Sequence, residues 1–540
     1  MSASASITLA DLAWSTPDGR PLFSHLDLSF DAGRHGLVGR NGVGKTTLLK
    51  LIAGELQAHS GAVSVAGTLG VLHQAVQIAN HETVADLFGI GRQLAMLRRA
   101  EAGQATGDDI AEIDWTLEAR LAASLARLGL DAKPETLLSS LSGGQRTRAA
   151  LAALVFAEPD FILLDEPTNN LDREGRAIVV DLLAGWRSGA IVVSHDRDLL
   201  ETMDSIVELT SLGATRYGGN FSHYRERKRL ELAAAEHDLA DAEGRLEEID
   251  RQAQANVERQ ARRDRAGRNT RRRGDIPRIA LNTMRNTSEN TGGAGARLAE
   301  RRRAQAVEGV VSARRRIEIL QPFTVAIPSC ALPAGKRVLA VDDVTVGYRP
   351  GEPVLRGFSL VVTGPQRVAI TGPNGCGKTT ALALIAGLLK PWTGTVRLTT
   401  DFALLEQKVS LLDPVETIRD NFLRLNPEAD ENACRATLAR FMFRADAALQ
   451  PVASLSGGQM LRAALACVLG VRPPALLILD EPTNHLDIES IETVEAGLRA
   501  YDGALLIVSH DEPFLQAIGI TRTIQLPSTE PLGARQLRAE

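Results

Sequence analysis

Residues 39–47 read Gly39-Arg40-Asn41-Gly42-Val43-Gly44-Lys45-Thr46-Thr47, and residues 372–380 read Gly372-Pro373-Asn374-Gly375-Cys376-Gly377-Lys378-Thr379-Thr380. Each run follows an apolar, strand-like stretch (His35–Val38, Arg367–Thr371) and opens a helical one. That is the strand, glycine turn and helix of a phosphate-binding P-loop. Glycines let successive backbone N–H groups curl around phosphates, and the helix start adds the positive end of its dipole. Lys45 and Lys378 are placed to reach β- and γ-phosphates, and Thr46 and Thr379 to hold Mg²⁺ through their hydroxyls. One such pattern arises by chance now and then; two in matched context do not.

The P-loops are the first terms of a longer repeat. They stand 333 residues apart, as do Gln74 and Gln407, each ending a short strand-like run. Leu141-Ser142-Gly143-Gly144-Gln145 returns 314 residues on as Leu455-Ser456-Gly457-Gly458-Gln459. Asp165-Glu166-Pro167-Thr168-Asn169 returns 315 residues on from Asp480, and Ser194-His195-Asp196 returns as Ser509-His510-Asp511. The order is conserved between halves, so the chain carries a duplicated domain. The fall in offset places about 19 extra residues in the first copy between Gln74 and Ser142, and the polar stretch 98–114 is the candidate arm.

The acids have a chemical reading. Phe161–Asp165 and Leu476–Asp480 look like buried strands, each ending in two carboxylates. Asp165 and Asp480 can hold Mg²⁺, usually through water; Glu166 and Glu481 can orient or deprotonate an attacking water. His195 and His510, repeated inside Ser-His-Asp, suit a γ-phosphate contact.

Between the copies the character changes. Leu232, Leu239 and Leu246 alternate with Ala235, Ala242 and Ile249 at heptad spacing, and Ala306, Val310, Ala313, Ile317 and Leu320 continue it later. The pattern predicts two long antiparallel helices with a basic, irregular tip. That tip carries Arg259, Arg262, Arg263, Arg265, Arg268, Arg271, Arg272, Arg273, Arg278 and Arg285 against Asp264 and Asp275, a local charge of +8 in a chain of −5. A patch opposing the global charge this strongly is the footprint of a phosphate backbone, and arginine suits bidentate phosphate contacts and base stacking. The expected divisions are 1–220, 221–334 and 335–540.

The 540 residues are 44% hydrophobic and 24% charged, with no apolar run of 18, which argues against a membrane span. Four scattered cysteines exclude a disulfide framework, a zinc ribbon and a cysteine-ligated iron–sulfur cluster. A reduced cytoplasm is the expected compartment.

P-loop, glutamine, Leu-Ser-Gly-Gly-Gln, Asp-Glu and histidine, in this order, resemble the nucleotide-binding domain of ABC ATPases across both halves, about 420 residues. The resemblance implies an α/β fold: two domains, each with a RecA-like parallel-sheet core, an antiparallel β subdomain and a helical signature subdomain, joined by the α-helical hairpin. It implies ATP and Mg²⁺ as ligands and hydrolysis at two composite sites. One joins Gly39–Thr46, Gln74, Asp165, Glu166 and His195 to Ser456, Gly457, Gly458 and Gln459. The other joins Gly372–Thr379, Gln407, Asp480, Glu481 and His510 to Ser142, Gly143, Gly144 and Gln145. Gln74 and Gln407 join the metal set, and Trp14 and Tyr348 are the candidates to stack on adenine. Asn170 stands where the second copy has His485, in the loop that meets the opposite domain.

Twin cassettes, the run Asp480–Asp487 and the basic linker further resemble the ABC-F family. That resemblance implies a monomer, with its cassettes paired intramolecularly, that binds the ribosomal E site. Its linker would reach toward P-site tRNA, rRNA and the peptidyl transferase centre. The alternative is an ATPase subunit energising a separate membrane transporter, which needs no long basic hairpin.

Overall fold

The computed structural model describes residues 5–73, 81–104, 110, 113–272, 300–312, 327–406, 409–484 and 486–527. The chain forms two compact units. Met1–Ser222 with Phe323–Glu540 make the first, and His223–Pro322 the second.

In the first unit the two halves repeat one plan. The strands Leu69–Leu72, Phe161–Asp165, Gly189–Val193, Arg34–Val38 and Ser205–Thr210 lie side by side in that order, all parallel, with Gly213–Gly218 added antiparallel at the edge. The second half orders Phe402–Leu405, Leu476–Asp480, Ala504–Val508, Arg367–Thr371 and Arg522–Gln525, all parallel. The central strands are continuous apolar runs because both faces are covered: every residue of Phe161–Asp165 and Leu476–Asp480 is buried. Beside each core lies a three-stranded antiparallel sheet, with Ser6–Ser15 between Pro21–Phe30 and Ser60–Ala66, and Arg337–Val346 between Leu355–Thr363 and Thr393–Leu398. The expected α/β architecture is therefore present twice.

Parallel strands end their loops at one edge of each sheet, which gathers the sequence motifs. The helices that start there are capped by side chains from those motifs. Ser142 and Ser456 each accept from the glutamine N–H three residues on, while Gln145 and Gln459 accept from the serine N–H, closing capping boxes on Gly143–Ala157 and Gly457–Leu469. Asp172, Asp196, Asp487 and Asp511 cap the helices that follow them. In the first half the helices Gly91–Glu101 and Leu117–Arg127 flank the polar stretch expected as an arm; 105–109 and 111–112 lie outside the described residues.

The second unit contains most of the helix Phe221–Arg272 and a helical stretch at 300–312. Along it Leu232, Ala235, Leu239, Ala242, Leu246 and Ile249 are covered while most of their neighbours are exposed, as heptad spacing dictates. On the returning stretch Ala306 and Val310 are the covered positions, and Arg303 Nε donates to Asp250 Oδ1 at 2.7 Å, 53 residues away. Of the tip arginines, Arg259 and Arg262 are exposed, Arg263, Arg265, Arg268, Arg271 and Arg272 continue the helix, and Arg273, Arg278 and Arg285 lie outside the described residues. So do Ala313, Ile317 and Leu320.

Candidate active site

The P-loops adopt one backbone. Gly39, Gly42 and Gly44 have φ of 149°, 81° and 108°; Gly372, Gly375 and Gly377 have 148°, 81° and 99°. A Cβ on Gly39 would sit 2.3 Å from the Leu209 carbonyl oxygen, so only glycine fits that turn. Lys45 and Lys378 are buried and bridge their own loops. Lys45 Nζ donates to the Gly39 and Arg40 carbonyls at 2.6 and 3.1 Å, and Lys378 Nζ to those of Gly372 and Pro373 at 2.9 and 3.0 Å.

The acids meet these loops. Burial holds the Asp165 and Asp480 carboxyls above the usual carboxylate range, and the neighbouring Thr46 and Thr379 hydroxyls pull them partly back. Glu166 and Glu481 turn the chain off its strand through left-handed φ of 52° and 46°, fixed by N–H bonds to the Val193 and Val508 carbonyls. Such strain in a non-glycine residue needs the surrounding fold to impose it. His195 Nε2 lies 3.2 Å from Glu166 Oε1, and His510 Nε2 3.4 Å from Glu481 Oε1. Burial pushes Glu481 up to about 7 and His510 down to about 4, and moves Glu166 and His195 in the same directions. Each pair is a buried carboxyl beside a neutral imidazole, suited to holding and moving one proton.

Two cavities result. One of about 370 Å³ is lined by Asn41, Lys45, Thr46, Asp165, Glu166 and His195 with Thr16 and Leu22 at its mouth. The other, of about 460 Å³, is lined by Tyr348, Lys378, Thr379, Asp480, Glu481 and His510 with Asn170, Leu171 and Arg176 from the opposite half. Both fall in the range of small-molecule sites. The residues fit a magnesium–nucleotide ligand: Asp480 Oδ1 is buried without a hydrogen-bond partner beside the Thr379 hydroxyl. Among the described residues no cluster of three His, Cys, Asp or Glu could hold a metal ion.

The structure also separates residues that the sequence put together. Tyr348 lines its cavity, whereas Trp14 stacks on His59 with ring centroids 6.1 Å apart and does not line the other. Tyr348 stands two residues beyond the strand Arg337–Val346, and the strand pairing makes Trp14 the counterpart of Val346 and Thr16, which lines the Lys45 cavity, the counterpart of Tyr348. Gln74, Gln407 and His485 lie outside the described residues. Of the signature glycines, a Cβ on Gly144 would lie 3.9 Å from Asn374 Nδ2 of the second P-loop.

Sequence reading missed the bonds that join the halves. Asp487 Oδ1 caps its helix while Oδ2 accepts from Asn41 N–H at 2.7 Å; Asp172 Oδ1 caps its helix while Oδ2 accepts from Asn374 N–H at 3.4 Å. The available signal was an aspartate repeated at offset 315. Arg40 donates twice to Glu489 at 2.5 and 2.7 Å, and Arg197 donates to Glu495 at 2.7 Å. These pairs have no counterpart in the repeat, so no sequence pattern announced them.

Fold and site together define a twin-cassette P-loop ATPase. The family model described as ABC transporter matches residues 23–169 and 355–484. The chain is 33% identical to the tylosin resistance ATP-binding protein TlrC of Streptomyces fradiae, over 92% of each chain. It is 30% identical to ATP-binding cassette sub-family F member 3 of Mus musculus, over 92% of this chain and 68% of that one. An archaeal ribosome recycling factor, aABCE1, solved in complex with the ribosomal stalk protein aP1, shares the fold at 18% identity and a TM-score of 0.54. That match covers 98% of this chain and 92% of the other. The chain belongs to the ABC-F family of ATP-binding cassette proteins and hydrolyses ATP. Among the described residues no helix is long and apolar enough to cross a membrane.

Proposed function

We propose that ATP, with Mg²⁺, binds between the cassettes, and that the closed form binds the ribosome and regulates or rescues translation until hydrolysis releases it. Lys45 and Lys378 hold the phosphates, with Thr46 and Asp165, or Thr379 and Asp480, holding Mg²⁺, which supplies charge neutralisation on the phosphate oxygens. Glu166 and Glu481 orient the attacking water and take its proton, and His195 and His510 face the γ-phosphate. Ser142–Gln145 and Ser456–Gln459 close each site from the opposite cassette, and Tyr348 stacks on the base. The helical linker carries its arginines to rRNA and P-site tRNA in the E-site region, and the protein acts as a monomer in the cytoplasm.

The observation that carries this reading is the pairing of two complete sites in one chain with a helix ending in a dense arginine run, from Arg259 to Arg272. Arginine at that density is built for phosphate backbones rather than for a lipid-embedded protein partner. The test is co-sedimentation of the Glu166→Gln, Glu481→Gln double variant with ribosomes through a sucrose cushion. Retention in ATP and not in ADP is expected. Changing Arg262, Arg263, Arg265, Arg271, Arg272 and Arg273 to Gln should cut the salt slope of that binding by about 0.7–0.9 per lost phosphate contact. Failure to pellet with ribosomes, with ATP-dependent pelleting on membranes, would sink the translation reading.

A further inference from the structure

The loop Asn170–Asp172 leads into the helix Arg173–Ala184, and Arg176 stands in its first turn. Arg176 Nε donates to the Leu171 carbonyl at 3.3 Å, which holds the guanidinium against a loop whose Asn170 carbonyl accepts from Asn374 Nδ2 at 3.0 Å. From the first cassette it thus lines the Lys378 cavity, together with Glu481 and His510 of the second. It also lines a space of about 30 Å³ between the cassettes with Glu166 and His195.

The repeat breaks here. The residue 315 positions on is Ile491, buried, which lines only the small space. Among the described residues, the Lys45 cavity is lined by the first cassette alone. One cavity therefore sets Lys378 and Arg176 against Asp480 and Glu481, and the other sets Lys45 alone against Asp165 and Glu166. A fixed cation brought in from across an interface does most where negative charge spreads over a phosphoryl group in transfer.

We propose that Arg176 is a positioning residue supplied in trans to the Lys378 site, holding Glu481 and the phosphate end of ATP in register, and that the Lys45 site works without such a group. The Lys378 site is then the faster of the two. The proposal rests on the composite-site reading above.

Single-turnover cleavage of γ-labelled ATP in full-length protein separates the sites. With Glu166→Gln only the Lys378 site cleaves; with Glu481→Gln only the Lys45 site does. In the first background Arg176→Gln should lower the maximal rate about tenfold with little change in half-saturating ATP, and Arg176→Lys should recover most of it. In the second background the same variants should stay within about twofold, a charge effect of this kind being local to the site it faces. Equal losses in both backgrounds, or no rescue by lysine, would reduce Arg176 to a prop of the interface and overturn the proposal. Ser142→Arg in the first background probes the composite site separately. Loss there without loss for Arg176→Gln sinks the arginine role alone; no loss for Ser142→Arg sinks the reading beneath it.

Discussion

On the Lys45 side of the interface, Arg40 grips Glu489 with two hydrogen bonds and Asn41 N–H meets Asp487 at 2.7 Å. On the Lys378 side Pro373 replaces Arg40, and the matching bond from Asn374 to Asp172 is 3.4 Å. The same contrast recurs deeper in. Arg197 and Glu495 form a mostly buried pair, whereas Glu512, which stands 315 residues after Arg197, meets Arg173 at 3.5 Å in solvent. Duplication kept the loops and their caps, while the bonds between cassettes diverged. The Lys45 side is the tied side, and the Lys378 side carries the extra cation in its cavity.

The strongest way to break this contrast is through the glutamates. Each single change, Glu166→Gln or Glu481→Gln, should remove cleavage at its own site, and the double change should lower total turnover by about 10²–10⁴-fold while ATP still binds. If the sides are unequal, Glu481→Gln should take away more of the total than Glu166→Gln. Equal losses in steady-state phosphate release would erase the distinction.

The paired arginines sharpen it at the next scale. Glu495→Ala leaves Arg197 uncompensated, and its Nε and Nη2 already lack partners among the described residues. A buried pair broken from one side costs about 3–5 kcal/mol, while the exposed Arg173→Ala should cost under about 1 kcal/mol. Urea unfolding of both variants measures the difference, and similar midpoints would count against a tied side.

The smallest effect separates the cassettes by pH. His35 is buried in the first sheet against Ser205, Asp31 and Arg216, and Val368 occupies its place in the second. Burial, with Arg216 beside it, holds His35 below the ordinary imidazole value of 6.5 despite the opposing bonds from Asp31. The unfolded chain therefore takes up this proton first as pH falls. The stability is complete above pH 6.5 and is lost below it, toward the lower folded value. His35→Val should flatten the decline of melting temperature between about pH 7 and 5 by a few degrees. An unchanged slope would show that the histidine does not set it.

Much of the site was legible because its chemistry is local. A glycine turn, a capping serine and a strand ending in Asp-Glu are written in consecutive residues, and their repetition at fixed offsets marked them. The heptad leucines were legible for the same reason, since a helix face is a sequence period. Trp14 shows the limit: its distance from the P-loop matched that of Tyr348 to within one residue, but the strand pairing makes it the counterpart of Val346, and Thr16 takes the place of Tyr348.

The duplicated α/β cassettes, the P-loops and their acids, and the arginine run between the halves are all specified by neighbours along the chain, and so could be read from residue order. Which residues join the halves emerged from the folded molecule. Arg40 and Glu489 are 449 positions apart, Arg197 and Glu495 are 298, and Arg176 reaches the Lys378 cavity from the other cassette. Such pairs are selected by where two folded surfaces meet, and a contact made between surfaces leaves no period or spacing in the chain that carries it.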